Sequence, residues 1–217
     1  VRCKIVEVQQ GTEDWLSLRR GRLTASHAGD WIAKPTTKRY QEYMKLITME
    51  LIGYEEEEED APWFHHGKAM EPFARGAYQW KTQQDVNHDL FLIHPEHDWL
   101  SASPDGVWVP GNDGMIEIKC RAKLETYLQK IAEQVRTGNI EASYRPQVQC
   151  QMLVSGLNQI DFVNYYHDDE QMVRKMHVFT VQRDQKLIDR IEECGLEFIT
   201  ECYQRAGVRR PWINAKN

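Results

Sequence analysis

One stretch, Pro110-Gly111-Asn112-Asp113-Gly114, constrains this chain more than any other. Each of its residues favours a turn, and it stands between two short strand-like runs, 106–109 and 115–119, which it closes into a hairpin. Asp105, at the entrance to the first run, and Glu117, within the second, then lie on neighbouring strands. Side chains alternate faces along a strand, so Glu117 and Lys119 share one face while Ile118 enters the opposite, apolar layer.

Other elements follow from spacing. Tyr40, Tyr43, Met44, Ile47 and Leu51 predict an amphipathic helix over 40–52 that packs into core. Residues 67–83 predict a second helix, with Pro72 in its first turn or at a kink and Glu71 therefore near its start. The runs 90–93 and 99–103 read as strands, as do 160–166 and 173–181. Leu124, Tyr127, Leu128, Ile131 and Val135 mark a helix, and 144–154 another with Pro146 in its first turn. Leu187, Ile191, Cys194, Phe198 and Cys202 stripe a last helix. With no repeat and no linker-like segment, the expectation is one α/β domain over 1–217, a central mixed β-sheet flanked by α-helices.

Composition excludes several classes. Five cysteines without a C-x-x-C pair suit reduced thiols better than a disulfide framework, a zinc ribbon or an iron-sulfur cluster. No run reaches the length of a membrane span and the N-terminus carries no signal-like segment, so no membrane partner and a cytoplasmic location are expected. The net charge of -6 is matched by the six acids of run 55–60, read as a solvated loop or as a face that repels DNA. Acidity overall does not exclude nucleic acid when basic groups line a groove and acids hold metal.

The densest chemical signal is Ser103-Pro104-Asp105-Gly106 followed by Glu117-Ile118-Lys119. Two carboxylates on adjacent strands, completed by backbone and water oxygens, suit a hard divalent ion such as magnesium, which polarises a phosphate and activates water. Lys119 could position that water or stabilise developing charge. An ordinary surface hairpin would carry the same three letters, so further residues have to decide.

Those residues form an ordered set: Gln10-Gly11, Trp15, Leu18-Arg19, Gly21 and Thr24-Ala25-Ser26, then Gly67-Lys68 and Glu71, then the two motifs above through Cys120, then Gln147-Val148-Gln149. In this order they resemble the viral recombination exonucleases, the lambda exonuclease or YqaJ-like family of the PD-(D/E)xK nuclease superfamily. The resemblance implies a restriction-endonuclease-like fold and a two-metal, Mg2+-dependent 5′ to 3′ exonuclease, with Mn2+ able to substitute. It would act on double-stranded DNA ends, releasing mononucleotides and leaving a 3′ overhang for recombination. Asp105 and Glu117 look like metal ligands, with the main-chain oxygen of Ile118 as a further one, and Lys119 like the water-orienting lysine. Glu71 matches an acid beside the second metal or the attacking water, and Gln147 a glutamine that supports the site. Arg19, Ser26 and Ser103 match positions that hold a terminal 5′-phosphate, a chemistry that an arginine fork and two hydroxyls can satisfy. The family's further phosphate-binding arginine is replaced here by Glu125, with Arg121 and Lys123 the nearest substitutes. A ring-shaped homotrimer, a single-strand annealing recombinase as partner, and a phage or prophage protein in a bacterial host are also implied.

Lesser candidates are His65 and His66 as metal ligands, Tyr40, Tyr43, Trp63 and Phe64 as base-stacking groups, and Lys34, Lys38 and Arg39 as phosphate contacts. Each has an ordinary structural reading beside it. Two other functions share the central motif: a structure-specific endonuclease, which would cut closed circles, and a non-catalytic DNA-end clamp, which would have no need of two acids beside a polyanion.

Overall fold

The computed structural model describes residues 2–54, 62–111 and 113–209, with only the backbone of 62–66. Along the chain, β1 (Lys4–Glu7) and α1 (Glu13–Arg19) lead into β2 (Leu23–Thr24), a 3-10 turn over Ala25–His27, α2 (Ala28–Trp31) and α3 (Lys38–Leu51). Then α4 (Pro62–Thr82) precedes a meander of β3 (Asp85–Asn87), β4 (Leu90–Ile93), β5 (Leu100–Ala102), β6 (Gly106–Val109) and β7 (Met115–Arg121). After α5 (Leu124–Thr137) and α6 (Arg145–Ser155), the chain closes with β8 (Gln159–Asp168), β9 (Val173–Gln182) and α7 (Gln185–Ala206).

The expected α/β architecture of mixed sheets flanked by helices is present, but the strands divide into two sheets. One has the order β1-β4-β5-β2 and the other β3-β6-β7-β8-β9. Each holds a single parallel pair, β2 with β5 and β7 with β8, so each is mixed. The chain passes from one sheet to the other at Ser103-Pro104-Asp105, where Pro104 has no amide to offer a strand ladder. The motif Ser103-Pro104-Asp105-Gly106 therefore begins at the seam between sheets. The short elements β1, β2 and β3 had escaped the spacing arguments, as had α1, the 3-10 turn and α2.

The hairpin forms as its turn residues dictate, with Gly106 opposite Ile116 and Val107 opposite Met115. Gly114 is obligatory there, since a β-carbon would lie 2.2 Å from the Trp108 ring. Strand alternation holds along β7: Ile116 and Ile118 face Ala74 and Tyr78 of α4, while Met115 joins the larger core beneath α6. That larger core draws on both sheets and on α2, α3, α6 and α7, through Leu92 and Leu100, Phe162, Trp31, Met44, Val148 and Phe198. At Gly195 of α7 the helix lies so close to Trp31 and Trp99 that a β-carbon would sit 3.2–3.3 Å from the rings.

One helix boundary differs from expectation. Pro72 lies inside α4 rather than in its first turn, so Glu71 is a mid-helix residue. A proline there leaves the carbonyl four residues back without an amide partner. Lys68 and Pro72 are both exposed, so water can serve that carbonyl. All five cysteines are free thiols, and no described helix is long and apolar enough to cross a membrane. The acidic run 55–60 lies outside the described residues.

Candidate active site

The residues singled out by strand spacing and by the family resemblance converge on one cleft of about 1050 Å³ at the seam. Arg19, Ser26, Glu71, Ser103, Asp105, Glu117, Ile118, Lys119 and Gln147 all line it. Its floor is the hairpin, one wall is α4, another is α6, and the far end is α1 with the turn after β2.

At the floor, Asp105 and Glu117 are 8% and 2% exposed, values that ionisable side chains rarely reach without partners. Asp105 Oδ2 accepts the Ile118 amide at 2.6 Å, tying the first acid across the hairpin to the strand of the second. Glu117 Oε1 accepts from Lys119 Nζ and from Gln147 Nε2, each at 2.6 Å, and its Oε2 accepts from Gln151 Nε2 at 2.6 Å. The crossover from β7 to β8 carries α6 over this face of β7, which is why two α6 glutamines reach one strand carboxylate. Tyr144, just before α6, places its ring 4.7 Å from Lys119 Nζ.

Electrostatics mark the same floor. Burial, then the neighbouring Glu117 and Glu71 carboxylates, push Asp105 well above the usual carboxylate range. Burial also raises Glu71, against the pull of Arg75 and with a further push from Glu117. Burial alone would lower the Lys119 ammonium, but Glu117 and Asp105 outweigh it and hold it above its ordinary value. Lys119 therefore stays cationic near neutral pH. Burial pushes the adjacent Cys120 thiol up to about 12, which removes it as a nucleophile.

This arrangement fits a divalent metal by the chemistry of its donors. The acids are hard oxygen donors, buried and mutually repulsive, a combination that a bound dication relieves. Among the described residues no group of three His, Cys, Asp or Glu forms a ready ligand cage, so backbone and water oxygens would have to complete a coordination shell. Of the four lone-pair positions on Glu117, the three donors leave one, on Oε2.

The far end is organised by Trp15. Its indole Nε1 donates to Ser103 Oγ at 3.0 Å, and the Arg19 guanidinium lies 4.6 Å from the ring centroid. Arg19 and Trp15 are one helical turn apart on α1, so the packing of one sets the other. Ser26 is exposed in the 3-10 turn, with its hydroxyl 3.2 Å from that of Thr24.

Other expectations are corrected. Arg121 cannot stand in for the basic residue missing at Glu125, because it is committed to Asn164 Oδ1 and, at 2.8 Å, to Glu141. Tyr40 and Tyr43 are core residues, packed on Phe198, and offer no face to a base. The side chains of Trp63, Phe64, His65 and His66 lie outside the described residues. Lys38 pairs with Glu42 at 3.4 Å on the open surface. Gln149 turns away from the site, bonding the Gln182 carbonyl and the Asp184 amide.

Sequence reasoning assigned no role to Trp15, Arg75, Tyr144 or Gln151. Arg75 donates to the Asp105 carbonyl at 2.9 Å. Three of the four had a signal: Trp15, Arg75 and Gln151 each stand four residues from Arg19, Glu71 and Gln147 respectively, the spacing of one helix face.

Comparisons with known proteins bear on the family and the fold. The family described as the YqaJ-like viral recombinase domain matches residues 14–158. An alkaline exonuclease from Laribacter hongkongensis is 30% identical, with a TM-score of 0.74 over 90% of this chain and 95% of that one. A second structure of that enzyme, in complex with dAMP, matches equally well at 31% identity. A phage-related exonuclease from Haemophilus somnus shares the fold at 18% identity and a TM-score of 0.58, covering 84% of this chain and 94% of the other. An uncharacterized mimivirus protein is 24% identical over 76% of this chain, which spans about a third (31%) of that relative's length.

Proposed function

Because the chain belongs to the YqaJ-like viral recombinase domain family and carries an exonuclease fold, we propose that it is a magnesium-dependent exonuclease degrading the 5′ strand of duplex DNA ends. The single observation that carries this reading is the pair of buried carboxylates, Asp105 and Glu117, set beside a lysine held cationic at the floor of an open cleft. The dAMP bound by the alkaline exonuclease is a mononucleotide, which supports mononucleotides as the product here.

Asp105, Glu117 and the Ile118 carbonyl would hold the metal, with Glu71 reaching in from α4 toward a second ion. When bound, the metal supplies Lewis acidity at the scissile phosphate and lowers the pKa of a coordinated water. Lys119, kept protonated by its acidic neighbours, orients that water and offsets charge building on the phosphate. Gln147 fixes the Glu117 carboxylate. Arg19, Ser26 and Ser103 would receive the terminal 5′-phosphate and so align the next bond for attack. Assembly as a homotrimer and work beside a single-strand annealing recombinase belong to the same reading, with light scattering near three times 25.5 kDa as the check on the first.

The test is digestion of a linear duplex labelled separately at its 5′ and 3′ ends, beside a covalently closed circle, with and without magnesium. Release of the 5′ label first, from the linear substrate alone and only with metal, is expected. Cutting of the circle would replace this reading with a structure-specific endonuclease.

A further inference from the structure

The interior of α6 is apolar along Val148, Cys150, Met152, Leu153 and Val154, yet Gln151 stands among them, 1% exposed. Its amide nitrogen meets Glu117 Oε2 at 2.6 Å while its own Oε1 is buried without any hydrogen-bond partner. Turning the amide over would set oxygen against carboxylate oxygen, so the donor has to face Glu117 and the carbonyl is left orphaned. A buried unsatisfied carbonyl is costly, and an apolar residue at this position would avoid it.

The geometry offers a reason for the glutamine. Gln147 and Gln151 are four residues apart on one face of α6 and grip opposite oxygens of the same carboxylate. With Lys119 also on Oε1, that oxygen is saturated, and rotation about the terminal torsion of Glu117 would break bonds on both sides. Only Oε2 retains a lone pair for a metal. We infer that Gln151 is a positioning residue for metal binding: it locks the plane of the Glu117 carboxylate and presents the remaining Oε2 lone pair to a divalent ion. It touches neither substrate nor reacting atoms. This inference rests on the metal-dependent reading above and extends it to a residue outside the ordered motif set.

The test uses Gln151→Leu and, as a variant of the same length and flexibility, Gln151→Met. Calcium binding to the DNA-free protein is measured by calorimetry, magnesium dependence by digestion of a linear duplex, and folding by thermal melts without metal. Removing an outer hydrogen-bond partner of a metal ligand costs about 10- to 100-fold in metal affinity. The calcium Kd and the magnesium half-saturation should therefore both rise about 10- to 100-fold. The KM for DNA ends should stay within about threefold, and excess magnesium should recover most of kcat. A folded variant that binds calcium as tightly as wild type overturns the inference, whatever its melting temperature, because Gln151 would then be a packing residue. Loss of kcat that excess magnesium does not recover overturns it as well. If wild type itself binds no divalent ion, the metal-dependent reading fails, and this inference with it; equal binding by wild type and variants sinks only the role of Gln151.

Discussion

The two ends of the cleft are built in opposite ways. At the floor, Asp105 and Glu117 are buried, every donor around Glu117 sits at 2.6 Å, and the residues come from a hairpin and the helix that crosses it. At the far end Ser26 is exposed, Arg19 is half-buried on a short helix, and one indole links Arg19 to Ser103. The floor holds like charges together at a cost in stability, which Lys119 and proton uptake by the acids offset in part and which a bound divalent ion would offset further. The far end costs little to fold. Under the proposed exonuclease reading, the floor would govern whether the reaction happens, and the far end which DNA ends react fastest.

The largest effect should come from breaking the floor. Lys119→Ala removes the cation bonded to Glu117, and its loss should slow digestion at least about 100- to 1000-fold, the scale for losing a preorganised electrostatic group. Asp105→Ala should do the same by removing a metal ligand. Binding of duplex ends in calcium, read by gel shift, should change little for either. Near wild-type digestion by either variant would show that the buried acids are structural and that the contrast between the two ends is misdrawn.

At the far end the effect should be smaller and selective. Arg19→Ala should slow 5′-phosphorylated ends about 10- to 100-fold, corresponding to a charge-assisted contact of about 1.5 to 3 kcal/mol, while hydroxyl ends hardly change. The check is the rate ratio for matched phosphate and hydroxyl duplexes. Arg121, committed to Asn164 and Glu141, should add nothing to this preference. A wild-type ratio near one would remove the phosphate pocket altogether.

How much of each end the sequence discloses also differs, for a physical reason. The hairpin is local: turn chemistry fixes it, and alternation along β7 then assigns Glu117 and Lys119 to one face and Ile118 to the other, as found. The helices over 38–51, 124–137, 145–155 and 185–206 were legible because their apolar periods are long. The division into two sheets was not, since it turns on which of several short strands pair across the chain, and β2 pairs with β5 over only two positions. Within the site, Gln151 was passed over because a buried polar residue on a helix reads as an error in an apolar stripe until its partner is known. Pro72 left two places open, a first turn or a kink, and it lies inside α4, so that Glu71 is mid-helix rather than near the start.

A thermal comparison sharpens the claim that the floor is strained without metal. Asp105 and Glu71 have raised pKa values in the folded protein, both chiefly by burial. Above about pH 4, where unfolded carboxylates ionise, the folded state holds more protons than the unfolded one. Stability of the metal-free protein should therefore fall as pH rises from there toward the raised folded values, then level off. Metal binding needs the ionised forms, so calcium should raise the melting temperature by more at pH 8 than at pH 5.5. Equal gains at both pH values would mean that neither acid meets the ion.

The smallest predicted effect isolates a single hydrogen bond at the far end. Trp15→Phe keeps an aromatic ring beneath Arg19 and against Phe91 and Ile93, but deletes the indole N–H that reaches Ser103 Oγ. Without that donor the Ser103 hydroxyl keeps only its longer contact, 3.4 Å to the Leu90 carbonyl, and is free to turn away from an incoming phosphate. A neutral hydrogen bond of this kind is worth about 0.5 to 1.5 kcal/mol, so the preference for phosphorylated ends should fall about two- to tenfold. Digestion of hydroxyl ends, which draw nothing from this pocket, should be unchanged. Combined with Arg19→Ala, the substitution should add less than it does alone, because residues that share a partner do not act independently. If Trp15→Phe instead slows both kinds of end equally, the indole serves the shape of the whole cleft, and the two ends are less separable than their construction suggests.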